Sequence, residues 1–294
     1  ASKAYLEETK KRKNVDIFIK TNVQKILFKN LKAIGVQTKN KGKLENIYAN
    51  KEVIVACGSI NSPKLLQLSG IGDEQELRQL GIDVTHHLPG VGKNLQDHLE
   101  IYVQHESKTS DTLYGLFNNP FLKVFSGIQW FLTKKGLLAH SHLELGGFVK
   151  SDARFGYPNI QLHFFPALVT NHGLTNPDRH AFQFHASPNR PTSRGWVKLR
   201  SSKPEEDPAI QFNYLETEED RLQMRDCVKI ARNIFNQKSF QHYAGKELRP
   251  GENVQDNDAL DEIIRNTSDT AYHPSCTNKM GDDKFSVVDN ETKV

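Results

Sequence analysis

Residues 53–72, VIVACGSINSPKLLQLSGIG, constrain this chain more than any other stretch. Val53, Ile54, Val55 and Ala56 form a short β-branched run, the pattern of a fully buried strand. Gly58 follows, where a chain turns sharply or lets another group close to its backbone. Ser62 and Pro63 predict a helix N-cap and first helical residue, and Ser69-Gly70 predicts the helix end. Strand, tight turn and helix in this order often present backbone amides and a helix N-terminus to a bound phosphate or ring. An ordinary βα unit of any α/β protein has the same outline, so both readings stand at this point.

Upstream, residues 1–12 predict the tail of a helix. Apolar runs at 15–18, 23–28 and 33–37, parted by turns such as Lys29-Asn30 and Asn40-Lys41-Gly42, predict a small meander feeding the strand at Val53. Downstream, Asp73-Glu74-Gln75-Glu76 reads as a capping box opening a short helix that ends at Gly81, before a brief strand at 82–84. Residues 88–98 read LPGVGKNLQDH. Gly90 and Gly92 are too few for a dinucleotide fingerprint, and Asp97 and His98 are expected to cap or brace a turn.

From about Ile101 the pattern changes. Phe121, Val124, Phe125, Ile128 and Phe131 fall at helical spacing. An interfacial membrane helix has this spacing, but the few positive charges on its polar face favour packing against a core. Alternation at 146–149, 160–165, 182–185 and 196–199 predicts antiparallel strands covered on one face, punctuated by Pro and Gly. Thr217-Glu218-Glu219-Asp220 caps a long amphipathic helix whose apolar stripe includes or adjoins Cys227, expected to be a buried small hydrophobe. Residues 258–265 form another short helix.

With 294 residues there is room for one large or two ordinary domains. The net charge of +4 is spread along the chain apart from Lys10-Lys11-Arg12-Lys13, which reads as a solvated turn rather than a nucleic-acid patch. Three cysteines without a CxxC pair argue against a disulfide framework or a cysteine zinc site, and fit a reducing compartment. His140-Ser141-His142 lacks a third ligand at metal spacing, and HExxH, GxSxG and P-loop strings are absent, so no metal site is expected. No apolar run reaches membrane-spanning length, and no signal or transit pattern is visible. The chain opens on Ala1-Ser2-Lys3 and reads as an internal fragment, so the lack of a targeting segment carries little weight.

His273 stands in AYHPSCTNKMG, where Pro274 disfavours helix at the histidine. Taken with Gly58-Ser59, Ser62-Pro63, Leu65-Leu66, Ser69-Gly70-Ile71-Gly72 and Val91-Gly92 followed by Asn94-Leu95-Gln96-Asp97-His98, this string resembles the glucose–methanol–choline oxidoreductases, flavin enzymes that oxidise alcohols. Further strings, HLELGGF at 142–148, YPNIQLHF at 157–164, GKEL at 245–248 and VVD at 287–289, resemble the choline-oxidising branch. Asn278 departs from that branch, which has cysteine there, and most other members carry glycine where this chain has Cys276.

The resemblance implies an α/β (α+β) fold: part of an FAD-binding α/β domain with an inserted antiparallel-sheet substrate domain. Residues 1–97 would belong to the FAD-binding domain, 98–265 to the substrate-binding domain, and 266–294 to a return to the FAD-binding domain with the catalytic histidine. Val23 (through its backbone), Ala56 and Gly58 would contact FAD. His273 would take the hydroxyl proton of choline while a hydride passes to the flavin, giving betaine aldehyde. Choline, a permanent cation, needs a carboxylate or an aromatic cage. Glu144 is the expected carboxylate, although a structural salt bridge suits it equally. The resemblance further implies a quinone-type electron acceptor, peripheral membrane association and a place at the mitochondrial inner membrane. Another alcohol such as glucose, or a non-catalytic binding module that keeps the fold, are the alternatives. The family's glycine-rich N-terminal unit and its second active-site His or Asn lie outside these residues, so the Val53 strand is expected to present an unpaired edge.

Overall fold

The computed structural model describes residues 2–143, 145–169, 175 and 177–294. The chain divides into two units, one of Ala1–Leu95, Gly195–Gln211 and Ser275–Val294, the other of Gln96–Arg194 and Phe212–Pro274.

In the first unit, strands Thr21–Lys29, Lys32–Asn40 and Lys43–Tyr48 form an antiparallel meander. Asn30 and Leu31 (φ 50° and 64°) and Lys41 and Gly42 (φ 47° and 83°) take the left-handed conformations that match a tight hairpin to strand twist. The expected meander is thus shifted along the chain. Residues 15–18 form no strand, and the third strand is Lys43–Tyr48. None of its residues is buried, so its sequence lacks the alternation that marks a half-covered strand.

Residues 53–56 are not a buried strand. They run without sheet pairing, and Ile54 is 79% exposed. No strand among the described residues lies beside them, and a β-branched run without a partner has no ladder to join. The helix that follows starts earlier than expected, spanning Gly58–Leu68 with Cys57 at the N-cap. Ser62 is inside it, its Oγ accepting from the Cys57 amide at 3.1 Å. Pro63 therefore sits in the helix body and cannot donate to the Ser59 carbonyl four residues back. The Thr277 hydroxyl donates to that carbonyl instead, at 2.6 Å. At the other end Ser69 Oγ accepts from Ile26 N (2.8 Å) and donates to Leu65 O (2.6 Å), tying the helix to the meander. Ile26, Leu65, Leu66, Ile71, Val91 and Val287 form the core between them.

Asp73 caps Glu74–Gln79 as expected, accepting from the amides of Gln75 and Glu76. The brief strand falls at His86–His87, parallel to Ile71–Gly72, and not at 82–84. Gly195–Lys198 pairs with Lys93–Leu95 and Ala209–Gln211. Buried Gln67 bridges this sheet to the helix, donating to Val197 O and accepting from Leu199 N, each at 3.0 Å.

The second unit is built on an antiparallel sheet in the order Ala244–Arg249, Leu99–Ser107, Ala181–Pro188, Ile160–Phe165 and Leu145–Val149, with Asp269–Thr270 on the edge beside Leu99. Alternation sends Ile101, Val103, Leu162, Phe182 and Phe184 to one face. There they meet Met224, Cys227, Val228 and Phe235 of helix Glu218–Phe235 and Leu260 and Ile264 of helix Asn257–Thr267. Cys227 is fully buried, and burial pushes its thiol well above the ordinary value.

Helix Pro120–Thr133 forms where its spacing predicts, but it does not pack on this core. Phe121, Val124, Phe125, Ile128 and Phe131 are exposed, and Ser126 is its one buried residue. No described element of the unit covers that face.

Thr217 caps Glu218–Phe235 through the Asp220 amide. Asp220 does not close a reciprocal box. Its carboxylate accepts from Thr192 N (2.7 Å), Thr192 Oγ1 (2.9 Å) and Ser193 N (2.8 Å). Burial alone would raise this carboxyl, but the bonds from Ser193 and Thr192 hold it below the ordinary aspartate value. A depressed folded-state value contributes stability that is complete above the unfolded value, near pH 4, and is lost as pH falls through the folded one. Asp220→Asn is expected to flatten the pH dependence of thermal unfolding below about pH 4. An unchanged acid limb in that variant would contradict the assignment.

Candidate active site

The site starts from Asp97, a carboxylate buried to 4% exposure at the start of strand Leu99–Ser107. A carboxylate in that position needs several donors. Oδ1 accepts from the amides of His98 (2.9 Å) and His273 (2.8 Å). Oδ2 accepts from the Tyr214 hydroxyl (2.5 Å) and the Thr270 hydroxyl. Burial, then the bond to Asp97, drives the Tyr214 phenol far above its ordinary value, which keeps it a donor. Asp97 thus pins two segments far apart in sequence, and the Ala271 amide donates to the His98 carbonyl at 2.9 Å to complete the join.

The result is a pair of imidazoles. His98 Nδ1 and His273 Nδ1 are 3.3 Å apart, with the rings edge-on at 82° and centroids 5.3 Å apart. The other nitrogen of His98, Nε2, lies 2.9 Å from the Asn189 carbonyl, which only accepts, so Nε2 carries the hydrogen. In neutral His98 the Nδ1 then holds the lone pair, and His273 Nδ1 must be the donor to it. His273 Nε2 is left with its lone pair exposed and with no hydrogen bond among the described residues. That is the protonation state a general base requires.

The loop holding His273 is conformationally unusual on both sides. Tyr272 has φ 60° and Cys276 φ 72°. The left-handed geometry at Cys276 explains why glycine suits this position in the wider family, since a side chain there costs about 1–2 kcal/mol.

The other expected site residues are placed as follows. Ala56 and Gly58 lie at the start of helix Gly58–Leu68, and Val23 lies on strand Thr21–Lys29, which is tied to the far end of that helix. All three are in the first unit, whereas His273 is in the second. Glu144 lies outside the described residues. His98 was expected to be a brace; the structure brings its imidazole to His273. The available signal was its place beside Asp97, whose buried carboxylate had to gather distant donors.

Residues 1–100 match the N-terminal family model of GMC oxidoreductase and residues 191–294 match its C-terminal counterpart. The chain belongs to the GMC oxidoreductase family, whose enzymes are FAD-dependent. Among curated relatives, the human mitochondrial choline dehydrogenase is 46% identical over all of this chain and 50% of its own length. The oxygen-dependent choline dehydrogenase of Photobacterium profundum is 44% identical over 96% of this chain and 50% of its own. The chain therefore spans about half the length of these relatives. Among solved structures, pyridoxine 4-oxidase from Mesorbium loti matches with TM-score 0.82 and 23% identity, over 98% of this chain and 53% of that one. A fungal aryl-alcohol oxidase matches with TM-score 0.86 and 22% identity, over 100% and 57%. These two likenesses concern the fold.

The residues of the first unit fit the family's cofactor. Gly58 has φ +78°, and the space where its side chain would stand is open. Cys57 gives the helix no side-chain cap. Thr277 reaches this turn at Ser59, and next to it Asn278 Oδ1 is buried without a hydrogen-bond partner among the described residues. A polar ligand that donates a hydrogen bond to Asn278 Oδ1 would satisfy it.

Proposed function

We propose that the chain is part of an FAD-dependent choline dehydrogenase that converts choline to betaine aldehyde. In this reading residues 1–97 and 266–294 belong to the cofactor-binding domain and 98–265 to the substrate domain. The Val23 backbone, Ala56 and Gly58 contact FAD, which when bound accepts a hydride. His273 Nε2 takes the hydroxyl proton, and His98 and Asp97 hold its ring in the required tautomer and position. Glu144 contributes a carboxylate toward the substrate cation. Electrons pass to a quinone-type acceptor, at the mitochondrial inner membrane as the names of the human and mouse relatives suggest.

The observation that carries the reading is the His98–His273 pair, which leaves one imidazole nitrogen unprotonated and exposed in a chain 44–46% identical to choline dehydrogenases. The test is anaerobic flavin absorbance of the full-length protein on adding choline, with glucose as control. Bleaching by choline and not by glucose is expected. Bleaching by glucose alone would keep the family and discard the substrate, and correctly folded protein without bound flavin would favour a non-catalytic module.

A further inference from the structure

Helix Pro120–Thr133 turns its large apolar side chains away from its own unit. At about 100° per residue, Phe121, Val124, Phe125, Ile128, Phe131 and Leu132 fall within an arc of about 120°. All six are exposed, Phe121 to 85% and Leu132 to 74%. The opposite side holds the helix in place. Ser126 is buried, and Leu122 closes on Gly115 of the preceding helix, Tyr114–Asn118, where a Cβ would stand 3.5 Å from it. Asn119 caps the first turn, accepting from the amides of Phe121 (2.9 Å) and Leu122 (3.1 Å). Past the other end, Lys134 and Gly136 (φ 56° and 90°) reverse the chain. Gly136 lies so near Gln129 that a Cβ would stand 2.1 Å from Oε1. Leu137 and Leu138 therefore return beside the helix, and both are exposed, which widens the apolar surface.

A contiguous apolar patch of this kind marks a surface that something covers. The charges around it say what. Between Thr112 and Leu143 the sequence has no Asp, Glu or Arg, and its lysines are Lys123, Lys134 and Lys135. No ion pair among the described residues engages these three. Lys134 Nζ lies 4.2 Å from the centroid of the Trp130 ring and 5.2 Å from that of Phe131, at the margin of the apolar arc. Tryptophan and lysine at the margin of an apolar helix face are the arrangement of helices that lie in a lipid headgroup layer.

A second copy of the chain fits this face less well. Two-fold docking through it would set the lysines against their own equivalents, with no carboxylate in the segment to receive them. An anionic lipid surface supplies phosphates to the lysines and acyl chains to the rings at once. The helix has 14 residues, about 21 Å at 1.5 Å per residue, against a hydrocarbon core of about 30 Å. No described helix is long and apolar enough to cross a membrane. This one has the length and the one-sided charge of a helix lying in the plane.

We propose that helix Pro120–Thr133, with the Leu137–Leu138 turn, is an in-plane anchor that seats the protein on an anionic lipid surface. The six apolar side chains enter the acyl boundary, and Lys123, Lys134 and Lys135 meet lipid phosphates. This names the element that holds the protein at the membrane location given in the proposed function, and it does not depend on which alcohol is oxidised.

The test is flotation of the full-length, flavin-loaded protein with vesicles of phosphatidylcholine, alone or with about one-third phosphatidylglycerol. The wild type should partition about 10²-fold more strongly onto the anionic vesicles. Lys134→Gln/Lys135→Gln should weaken that binding about 30-fold and leave the neutral vesicles unaffected. Phe125→Ser/Phe131→Ser should weaken binding to both about 10²-fold. Brominated acyl chains should quench the part of the tryptophan emission that Trp130→Tyr removes. No binding of anionic vesicles by the wild type, or wild-type binding by both double variants, would overturn the proposal. So would a lipid-free dimer that Phe125→Ser/Phe131→Ser dissociates, which gives the face to a second copy. Shielding of Trp130 from acrylamide in the lipid-free monomer would overturn it too, because other parts of the protein would then cover the face. Flavin reduction by choline should stay within about twofold in every variant. Vesicle binding by a wild type that does not oxidise choline would leave the anchor standing and sink the reaction assignment.

Discussion

Replacing His273 by Gln is expected to slow flavin reduction by choline about 10²- to 10⁴-fold, the ordinary contribution of a positioned base. Gln keeps a polar side chain of similar reach but offers no nitrogen lone pair. The loss should therefore fall on kcat and not on substrate binding, read by anaerobic stopped-flow absorbance with choline concentration varied. His98→Phe should reproduce a smaller part of it. Without His98 Nδ1 as acceptor, the His273 ring is free to carry its hydrogen on Nε2, and only part of the population presents a lone pair to the alcohol. A His273→Gln enzyme within tenfold of wild type would show that the base lies elsewhere.

The second large effect is expected at Asp97, on stability. Asp97→Ala removes the acceptor of four hydrogen bonds and leaves the amides of His98 and His273 and the hydroxyls of Tyr214 and Thr270 facing a cavity. Stranding buried donors costs about 1–3 kcal/mol each when no water replaces the acceptor, and partial rearrangement brings the sum to about 4 kcal/mol. Thermal unfolding should shift down by roughly 10 °C. Asp97→Asn should cost much less. Its remaining oxygen can serve the two amides, which are fixed donors, while the two hydroxyls can rotate to accept from the new NH₂. Calorimetric scans of both variants test this, and equal destabilisation would mean that charge rather than geometry holds the junction.

Much of the fold was legible. The Asp73 and Thr217 caps, the strands Leu145–Val149, Ile160–Phe165 and Ala181–Pro188 and the helix stripe through Cys227 rest on local chemistry and on alternation against a core, and they form where the residues predict, whereas Leu99–Ser107 and Ala244–Arg249 of the same sheet went unpredicted and the strand expected at 196–199 belongs to the first unit. His273 was legible through its string, which marks a family. The errors share one cause, a dependence on neighbours. Residues 53–56 have the composition of a buried strand but, among the described residues, no partner strand beside them. Lys43–Tyr48 lacks alternation, yet it pairs because the turn at Lys41 and Gly42 delivers it to Lys32–Asn40. Pro63 suggests a helix start because its missing amide is harmless there, whereas Thr277, more than two hundred residues away, supplies the bond that lets it sit inside. The face of Pro120–Thr133 is apolar by sequence, and only the tertiary structure shows that no described element of its unit covers it.

The sequence by itself determined which residues could act: the His273 segment, the glycine that opens the Gly58–Leu68 helix, and the alternation that separates an apolar sheet face from a polar one. Tertiary structure alone decided what those residues are. In the proposed reading His273 serves as a base because its other nitrogen is engaged, and that engagement depends on His98, 175 residues away, whose own tautomer is set by the Asn189 carbonyl. Protonation states are properties of hydrogen-bond networks, and such networks close only in three dimensions.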